Sequence, residues 1–190
     1  MKGLSQYRSD ADNGGSITSI IVNNRIAAKL LADGSAQSLG LQDVVSIWPV
    51  EVPLFSNLVN ASAAPGFSVT YLGVETVNNT SCSKIQISAN IQPVDPITAI
   101  TSLTGSIIVW LDAATGMPVQ LQYTKLASDN PTATISRVRQ FSNYQQVSGM
   151  QVAFTQQEFV DGRLLYTIQL SAANFNVGLT DADFALPNAQ

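Results

Sequence analysis

Hydrophobic and polar residues alternate along much of the chain with a period of two, which is the spacing of side chains on one side of a β-strand. Val119, Leu121 and Tyr123 fall on one side of such a strand, and the two glutamines between them fall on the other. Residues 164–170 alternate in the same way. The pattern predicts strands with one buried side and one solvent-facing side.

Short polar turns divide these strands into pairs, as in β-hairpins. The predicted turns lie at Asn23-Asn24, at Asn78-Asn79-Thr80, at residues 112–116 and at Asp161-Gly162. The strands that they join are residues 16–23 and 25–31, 67–77 and 82–89, 106–111 and 119–126, and 152–160 and 164–170, with 132–141 as an additional strand. Four hairpins predict a mainly β fold, built on one twisted antiparallel sheet of about eight or nine strands.

Two segments depart from the alternation and predict short helices. In residues 53–60, apolar residues recur four positions apart after a proline that suits a first helical turn. These apolar residues are Leu54, Phe55, Leu58 and Val59. Asp95-Pro96 can cap a second helix, in which Ile97, Ile100 and Leu103 lie three residues apart. The isoleucines and threonines of this second segment also suit a strand.

The low charge content and the lack of a long apolar stretch exclude some classes of partner. The 190 residues are 45% hydrophobic and 12% charged, against about 25% charged in a typical domain. One domain over residues 1–190 is expected. The net charge is −4 and the basic residues are scattered, so no nucleic-acid partner is predicted. The most apolar stretch, residues 107–111, is much shorter than the roughly 20 residues that span a bilayer, so no transmembrane segment is predicted.

The inventory of reactive side chains predicts no enzyme. Histidine is absent, which excludes serine–histidine and cysteine–histidine catalysis and histidine metal sites. Cys82 is the sole cysteine and is expected to be buried. Asp112 and Asp161 are expected to hydrogen-bond in turns, and Glu158 is expected to be a solvated strand residue. No catalytic residue, metal site or cofactor is therefore predicted.

Four segments resemble the LolA/LppX-like family of exported proteins. Residues 67–87 are similar to its hairpin G-x-E-x-V-x-G-x-x-C/A-x-x-I, and residues 108–119 to its hairpin W-x-D-x-x-T-G-x-P. Residues 141–152 resemble Y-x-x-V-x-G-x-x-V-P, and residues 174–187 resemble the closing N-x-x-L-x-D-x-x-F-x-L-P. The segments occur in the family order. The chain departs from the motifs at Asn79, where glycine is usual, and at Ala153, where proline is usual.

The resemblance implies a strongly curved antiparallel sheet, an unclosed half-barrel, with one or two short helices across its concave side. Family members use the concavity for acyl chains or other lipids. Residues 7–10 and 20–24 would lie in the second and third strands of the family, so the chain is expected to be an N-terminally trimmed piece of an exported precursor. Its expected location is the periplasm or the outside of the cell, although no signal peptide follows Met1.

Two functions from different classes follow. The first is an exported, non-enzymatic module that binds a hydrophobic ligand, a lipid or a lipoprotein acyl chain, in the concave face. The second is a structural or interaction domain of the cell envelope, with a filled core, no ligand and an envelope protein as its partner. Such a domain could associate through its unpaired sheet edges.

Under the first function, alternation predicts the wall that faces the ligand. Its residues are Val69, Tyr71, Ile85, Ile87, Val109, Leu111, Leu121, Tyr123, Leu164, Tyr166 and Ile168. The predicted helix at residues 53–60 would lie over this wall. The competing interpretation of the same residues is ordinary core packing, which alternation alone does not distinguish from a ligand site.

Overall fold

The computed structural model describes residues 6–23, 26–40, 67–89, 106–127 and 133–186. These residues form eleven strands and one short 3₁₀ helix at Asp181–Phe184. The strands are β1 (Gln6–Asp12), β2 (Ile17–Asn23), β3 (Ile26–Leu30), β4 (Ala36–Leu39), β5 (Phe67–Val77), β6 (Thr80–Ala89), β7 (Ser106–Asp112), β8 (Pro118–Leu126), β9 (Thr134–Val147), β10 (Met150–Val160) and β11 (Arg163–Gln169). The predicted mainly β fold is confirmed.

The chain divides into two compact units. The first contains Met1–Asn57 and Asn176–Gln190, and the second contains Leu58–Phe175. The first carries a four-stranded sheet in the order β1-β2-β3-β4, and the second a seven-stranded sheet in the order β11-β10-β9-β8-β7-β6-β5. All pairings in the described strands are antiparallel, and neither sheet closes into a barrel.

The number of sheets differs from the sequence prediction. The described strands form two sheets, whereas the sequence predicts one sheet of eight or nine strands. Two strands of the first unit, β1 and β4, are additional to those that alternation predicts; both are mainly polar, and β4 has only four residues. They carry little alternation and are ordered by pairing with the apolar β2 and β3, so their own residues predict them poorly. β1 contains residues 7–10, so the strand that the resemblance implies there is confirmed. The single domain over residues 1–190 stays a prediction.

The first unit has a small core of its own. Val22 and Ala27 are buried between β2 and β3, and Tyr7, Ile20 and Leu39 pack against them. Residues on the other side of this sheet are also buried, since Ile21 is 3% exposed and its register partner Ala28 is 6% exposed. Both sides of the β2–β3 pair are therefore covered.

The closing 3₁₀ helix docks on this first unit. Phe184 is 1% exposed, and its carbonyl accepts a hydrogen bond from the Asn23 side chain at 3.2 Å. The backbone N–H of Thr180 donates to the Asp183 carboxylate at 2.6 Å, and this hydrogen bond stabilises the first turn of the helix. This carboxylate interaction lowers the pKa of Asp183. The aromatic residue of the family's closing motif thus anchors the end of the chain.

The hairpin turns confirm the local sequence signals. Asn78 and Asn79 have φ of 48° and 63°, and Asp161 and Gly162 have φ of 49° and 74°. Two consecutive positive φ values are the mark of the type I′ turn, which asparagine, aspartate and glycine tolerate. Asn79 thus adopts the conformation of the glycine that the family motif has there.

A third turn of this kind, at Ser148-Gly149, joins β9 and β10. The additional strand that the sequence predicts ends at residue 141, but β9 continues to Val147. Its last residues are mostly polar and lack the alternation that would have extended the prediction.

The two predicted helices, at residues 53–60 and around residues 95–103, lie outside the described residues, so both stay predictions.

Candidate functional site

The register of the seven-stranded sheet assigns its side chains to two faces, because directly paired residues of antiparallel strands point to the same side. One row crosses all seven strands from Val69 through Ile87, Ile107, Tyr123, Arg137 and Val160 to Arg163. The next row runs from Tyr71 through Ile85, Val109, Leu121, Arg139 and Glu158 to Tyr166. We call the side of the sheet that carries these two rows the amphipathic face.

The amphipathic face changes character between β8 and β9. Within these two rows its half on β5 to β8 is apolar, and we call it the apolar half. Its half on β9 to β11 carries the guanidinium, carboxylate and phenol groups, and we call it the charged half. Because neighbouring strands lie about 4.8 Å apart, the change occurs within one strand spacing.

Exposure varies strongly across the apolar half. Val109 is 2% exposed and Leu121 is 1% exposed, so the middle of the sheet is a packed core. On the edge strand β5, Val69 is 47% exposed, Tyr71 62% and Val74 65%. Val74 pairs with Ser83, which places it on the same face. The apolar half therefore extends from a buried centre to an open edge.

A buried ion cluster occupies the charged half. Glu158 is 1% exposed and Arg139 is 4% exposed. The Arg139 Nε donates to Glu158 Oε2 at 2.9 Å, and the Tyr123 hydroxyl donates to Glu158 Oε1. Arg139 Nη2 also donates to the Tyr166 hydroxyl at 3.1 Å. Both carboxylate oxygens of Glu158 thus have a hydrogen-bond donor, which is the condition under which a charge is tolerated in a protein interior.

The prediction that Glu158 is a solvated strand residue is wrong. Its register partners are Arg139 on β9 and Tyr166 on β11, so its charge is compensated across the sheet. Alternation within β10 does not show these partners, because they come from other strands.

The cluster keeps its groups in defined protonation states. Burial raises the pKa of Tyr123, and the adjacent Glu158 carboxylate raises it further, so the phenol remains a neutral donor. Burial alone would lower the pKa of Arg139, but the hydrogen bond and the charge of Glu158 outweigh it and raise this pKa. Arg139 therefore stays a cation.

Stability is expected to fall as the pH rises above about 10, where tyrosine ionises in the unfolded chain. Burial raises the pKa of Tyr123 and of Tyr144, whose hydroxyl donates to the Pro118 carbonyl at 2.6 Å. The folded chain therefore retains protons that the unfolded chain releases, and each group can remove up to about 1.4 kcal/mol per pH unit. Urea unfolding between pH 8 and pH 11 measures the slope.

Tyr144→Phe should make this alkaline slope shallower, because it removes one of the two phenols whose pKa burial raises. An equal slope for Tyr144→Phe and the unmodified chain would contradict the assignment.

The opposite side of the sheet places polar groups around Trp110, which is 4% exposed. Lys84 Nζ lies 2.8 Å from Glu75 Oε2 and 4.9 Å from the centre of the Trp110 ring, and the indole N–H donates to the same carboxylate at 3.2 Å. The hydrogen bond from Lys84 lowers the pKa of Glu75 most, and the hydrogen bond from Trp110 lowers it further. Gln140 donates to Gln120 at 3.2 Å across β8 and β9.

Asp112 and Cys82 behave as the sequence predicts. The Asp112 carboxylate accepts the backbone N–H of Ala114 at 2.7 Å within its turn, and this hydrogen bond lowers its pKa. Cys82 is buried and free, and burial raises the pKa of its thiol.

The described residues contain no group of three or more aspartate, glutamate or cysteine side chains that could hold a metal ion. Among these same residues, helices long and apolar enough to cross a membrane are absent.

Structural comparison identifies the fold. No protein-family model and no curated protein sequence matches the chain. One similar solved structure, from Vibrio parahaemolyticus, is described as a domain of an outer membrane lipoprotein-sorting protein. It has a TM-score of 0.53 and 14% identity, over 94% of this chain and 80% of that one. This likeness confirms the predicted LolA-like fold.

Two further structures are similar at lower scores. A LolA superfamily protein from Nitrosomonas europaea has a TM-score of 0.49 and 9% identity, over 88% of this chain and 70% of that one. A DUF1329 family protein from Desulfovibrio piger has a TM-score of 0.48 and 12% identity, over 95% of this chain and 80% of that one.

The amphipathic face of this LolA-like sheet contains the predicted ligand wall except for Leu164. Leu111 pairs with Ser83 and Ile168 pairs with Gln156, so both share the face. A register shift after Glu158 pairs Leu164 with Phe159 instead, on the opposite side. Such a bulge inserts one residue into β11, and alternation cannot show it. That the wall contacts a ligand stays a prediction.

Sequence reasoning missed the charged half of the face. Arg137 and Arg139 lie two residues apart on β9 and therefore share a side, which the sequence contains as a local signal. Their meeting with Glu158 depends on the register between β9 and β10, which it does not contain.

Proposed function

We propose that the chain is an exported, non-enzymatic module that binds a hydrophobic ligand, a lipid or an acyl chain, against the apolar half of the amphipathic face. The observation that carries the proposal is the continuous apolar surface that leads from buried Leu121 and Val109 to exposed Tyr71 and Val69. The fold likeness to a domain described as part of a lipoprotein-sorting protein supports the same class of ligand.

The exposed edge of the apolar half is what an apolar ligand would cover. Val69, Tyr71 and Val74 project on one side of one strand, so their exposed surfaces adjoin. Contact of this surface with water costs about 25 cal/mol for each Å². A bound chain would remove that cost, and contiguous exposed apolar surface of this kind commonly marks a binding site.

The proposed place of action is the periplasm or the outside of the cell. Here the chain would meet lipids, lipoproteins or an envelope protein as partners, and it would carry or present a ligand without chemical change.

A second candidate is an interaction domain that associates through the β5 edge. β5 has eleven residues, and among the described strands it is the last of its sheet, so no described strand pairs with one row of its backbone groups. Leu72, at the register shift of this strand, is a further exposed apolar residue. A long apolar edge strand can pair with a strand of another chain. This candidate needs no ligand.

A binding experiment distinguishes the two candidates. The purified chain is expected to retain co-extracted lipid in native mass spectrometry and to bind the neutral apolar dye Nile red. The double variant Val69→Gln/Tyr71→Gln should weaken dye binding about tenfold, because it removes apolar contact worth about 1.4 kcal/mol. Ile26→Gln, at a residue 61% exposed in the first unit, is the matched control and should bind as the unmodified chain does.

The carrier proposal fails if the unmodified chain carries no lipid and binds no dye. In that case, a dimer that the Val69→Gln/Tyr71→Gln variant dissociates would support the interaction domain.

A further inference from the structure

The charged half of the amphipathic face carries more positive than negative charge. Within the described part of the chain, Arg137, Arg139 and Arg163 project on this half, and Glu158 is its sole carboxylate. Asp161 lies in the adjoining turn and forms no ion pair with a described residue. An excess of guanidinium groups beside an apolar surface attracts an anion.

Glu158 does not satisfy the hydrogen-bonding capacity of Arg137. The two oxygens of Glu158 already accept hydrogen bonds from Tyr123 and Arg139. Arg137 Nη1 is 3.7 Å from Glu158 Oε1, too far for a hydrogen bond. Among the described residues, Arg137 Nε is a buried polar atom without any hydrogen-bond partner. A buried donor of this kind is costly to leave unpaired.

The row that contains Arg137 also contains a second guanidinium group, that of Arg163. Arg137 and Arg163 are both register partners of Val160, one on each side of β10. Their backbones are therefore about 10 Å apart, a distance that two long arginine side chains can bridge around one anion. Arg163 is exposed, and the Arg137 side chain is 22% exposed, so an anion can approach both from solvent.

We propose that the ligand is an anionic amphiphile whose carboxylate or phosphate headgroup binds between Arg137 and Arg163 while its apolar chain lies on the apolar half. The inference rests on the proposed function and adds the headgroup. Arginine suits both headgroups because its planar fork can donate two parallel hydrogen bonds to two oxygens. Tyr123 adjoins Arg137 in the row, so the charged site and the apolar half are continuous.

The preference for an anionic headgroup is tested by displacing Nile red from the full chain with amphiphiles that differ only in their headgroup. Palmitate and hexadecyl phosphate share one apolar chain length with hexadecanol, which is neutral. Both anions are expected to displace the dye at concentrations about tenfold lower than hexadecanol, as one charge-assisted interaction implies. Inorganic phosphate alone should not displace it, because it lacks the apolar chain.

Charge variants locate the site. Arg137→Gln and Arg163→Gln should each reduce the preference for palmitate over hexadecanol about tenfold and leave hexadecanol binding unchanged. Lys84→Gln removes the same charge from the opposite side of the sheet and should preserve the preference. Arg163 is exposed beside a turn, so its variant tests the proposal even if Arg137→Gln fails to fold.

The outcomes separate this inference from the proposed function. Equal displacement by palmitate and hexadecanol, or a preference that both arginine variants retain, overturns the anionic headgroup and leaves the carrier intact. If inorganic phosphate alone displaces the dye, the proposal that the ligand is an amphiphile with an apolar chain is wrong. A chain that binds neither dye nor palmitate overturns both proposals.

Discussion

Glu158→Gln is expected to lower the free energy of unfolding by about 3–5 kcal/mol, the cost of breaking a buried ion pair by removing one partner. The substitution keeps the shape of the side chain but removes the charge that compensates Arg139, which is only 4% exposed. It also exchanges one acceptor oxygen of the cluster for a donor group. Urea unfolding at neutral pH, followed by tryptophan fluorescence, measures the loss.

The control for this substitution is Glu75→Gln on the opposite side of the same sheet. Glu75 also pairs with a cation, Lys84, at 2.8 Å, but the side chain of Glu75 is 49% exposed. Exposed pairs contribute about 0–1 kcal/mol, so the control should lose little. If both variants lose the same small amount, the Glu158 cluster does not hold the sheet together.

Tyr123→Ala is expected to cost about 3–5 kcal/mol of stability, as for aromatic residues truncated in closed cores. Tyr123 is 1% exposed and lies in the row between Ile107 and Arg137. Its removal leaves a cavity beside Leu121 on the same strand and withdraws the hydroxyl that Glu158 accepts. Tyr123→Phe separates these contributions, because it removes only the hydroxyl and should cost about 1–3 kcal/mol.

Tyr166→Ala provides the contrast on the same face. Tyr166 is 38% exposed on the edge strand β11, so truncation should leave no closed cavity there, but it removes the hydroxyl that accepts a hydrogen bond from buried Arg139 Nη2. We therefore expect a smaller cost than for Tyr123→Ala, about 1–3 kcal/mol. If Tyr123→Ala instead costs little stability and abolishes lipid uptake, Tyr123 lines a pocket. If it costs the expected amount and the unmodified chain binds no lipid, the face is only a core.

The buried ion cluster is a feature that composition does not show. The basic residues are scattered along the chain with no run among them, which predicts no nucleic-acid partner. Pairing of β9 with β10 and of β10 with β11 nevertheless aligns Arg137 with Arg163 in one row. Charge density on a sheet depends on residues far apart in sequence, so it appears only when the register is known.

The sequence by itself determined most of the strands, most of the turns and the class of fold. Alternation within each strand and the Asn-Asn and Asp-Gly turns are local features, and local features suffice to predict hairpins. The tertiary structure alone decided the division into two sheets, the bulge that turns Leu164 away and the burial of Glu158. Each of these depends on which residues face one another across neighbouring strands, and a period of two along one strand contains no information about its partner.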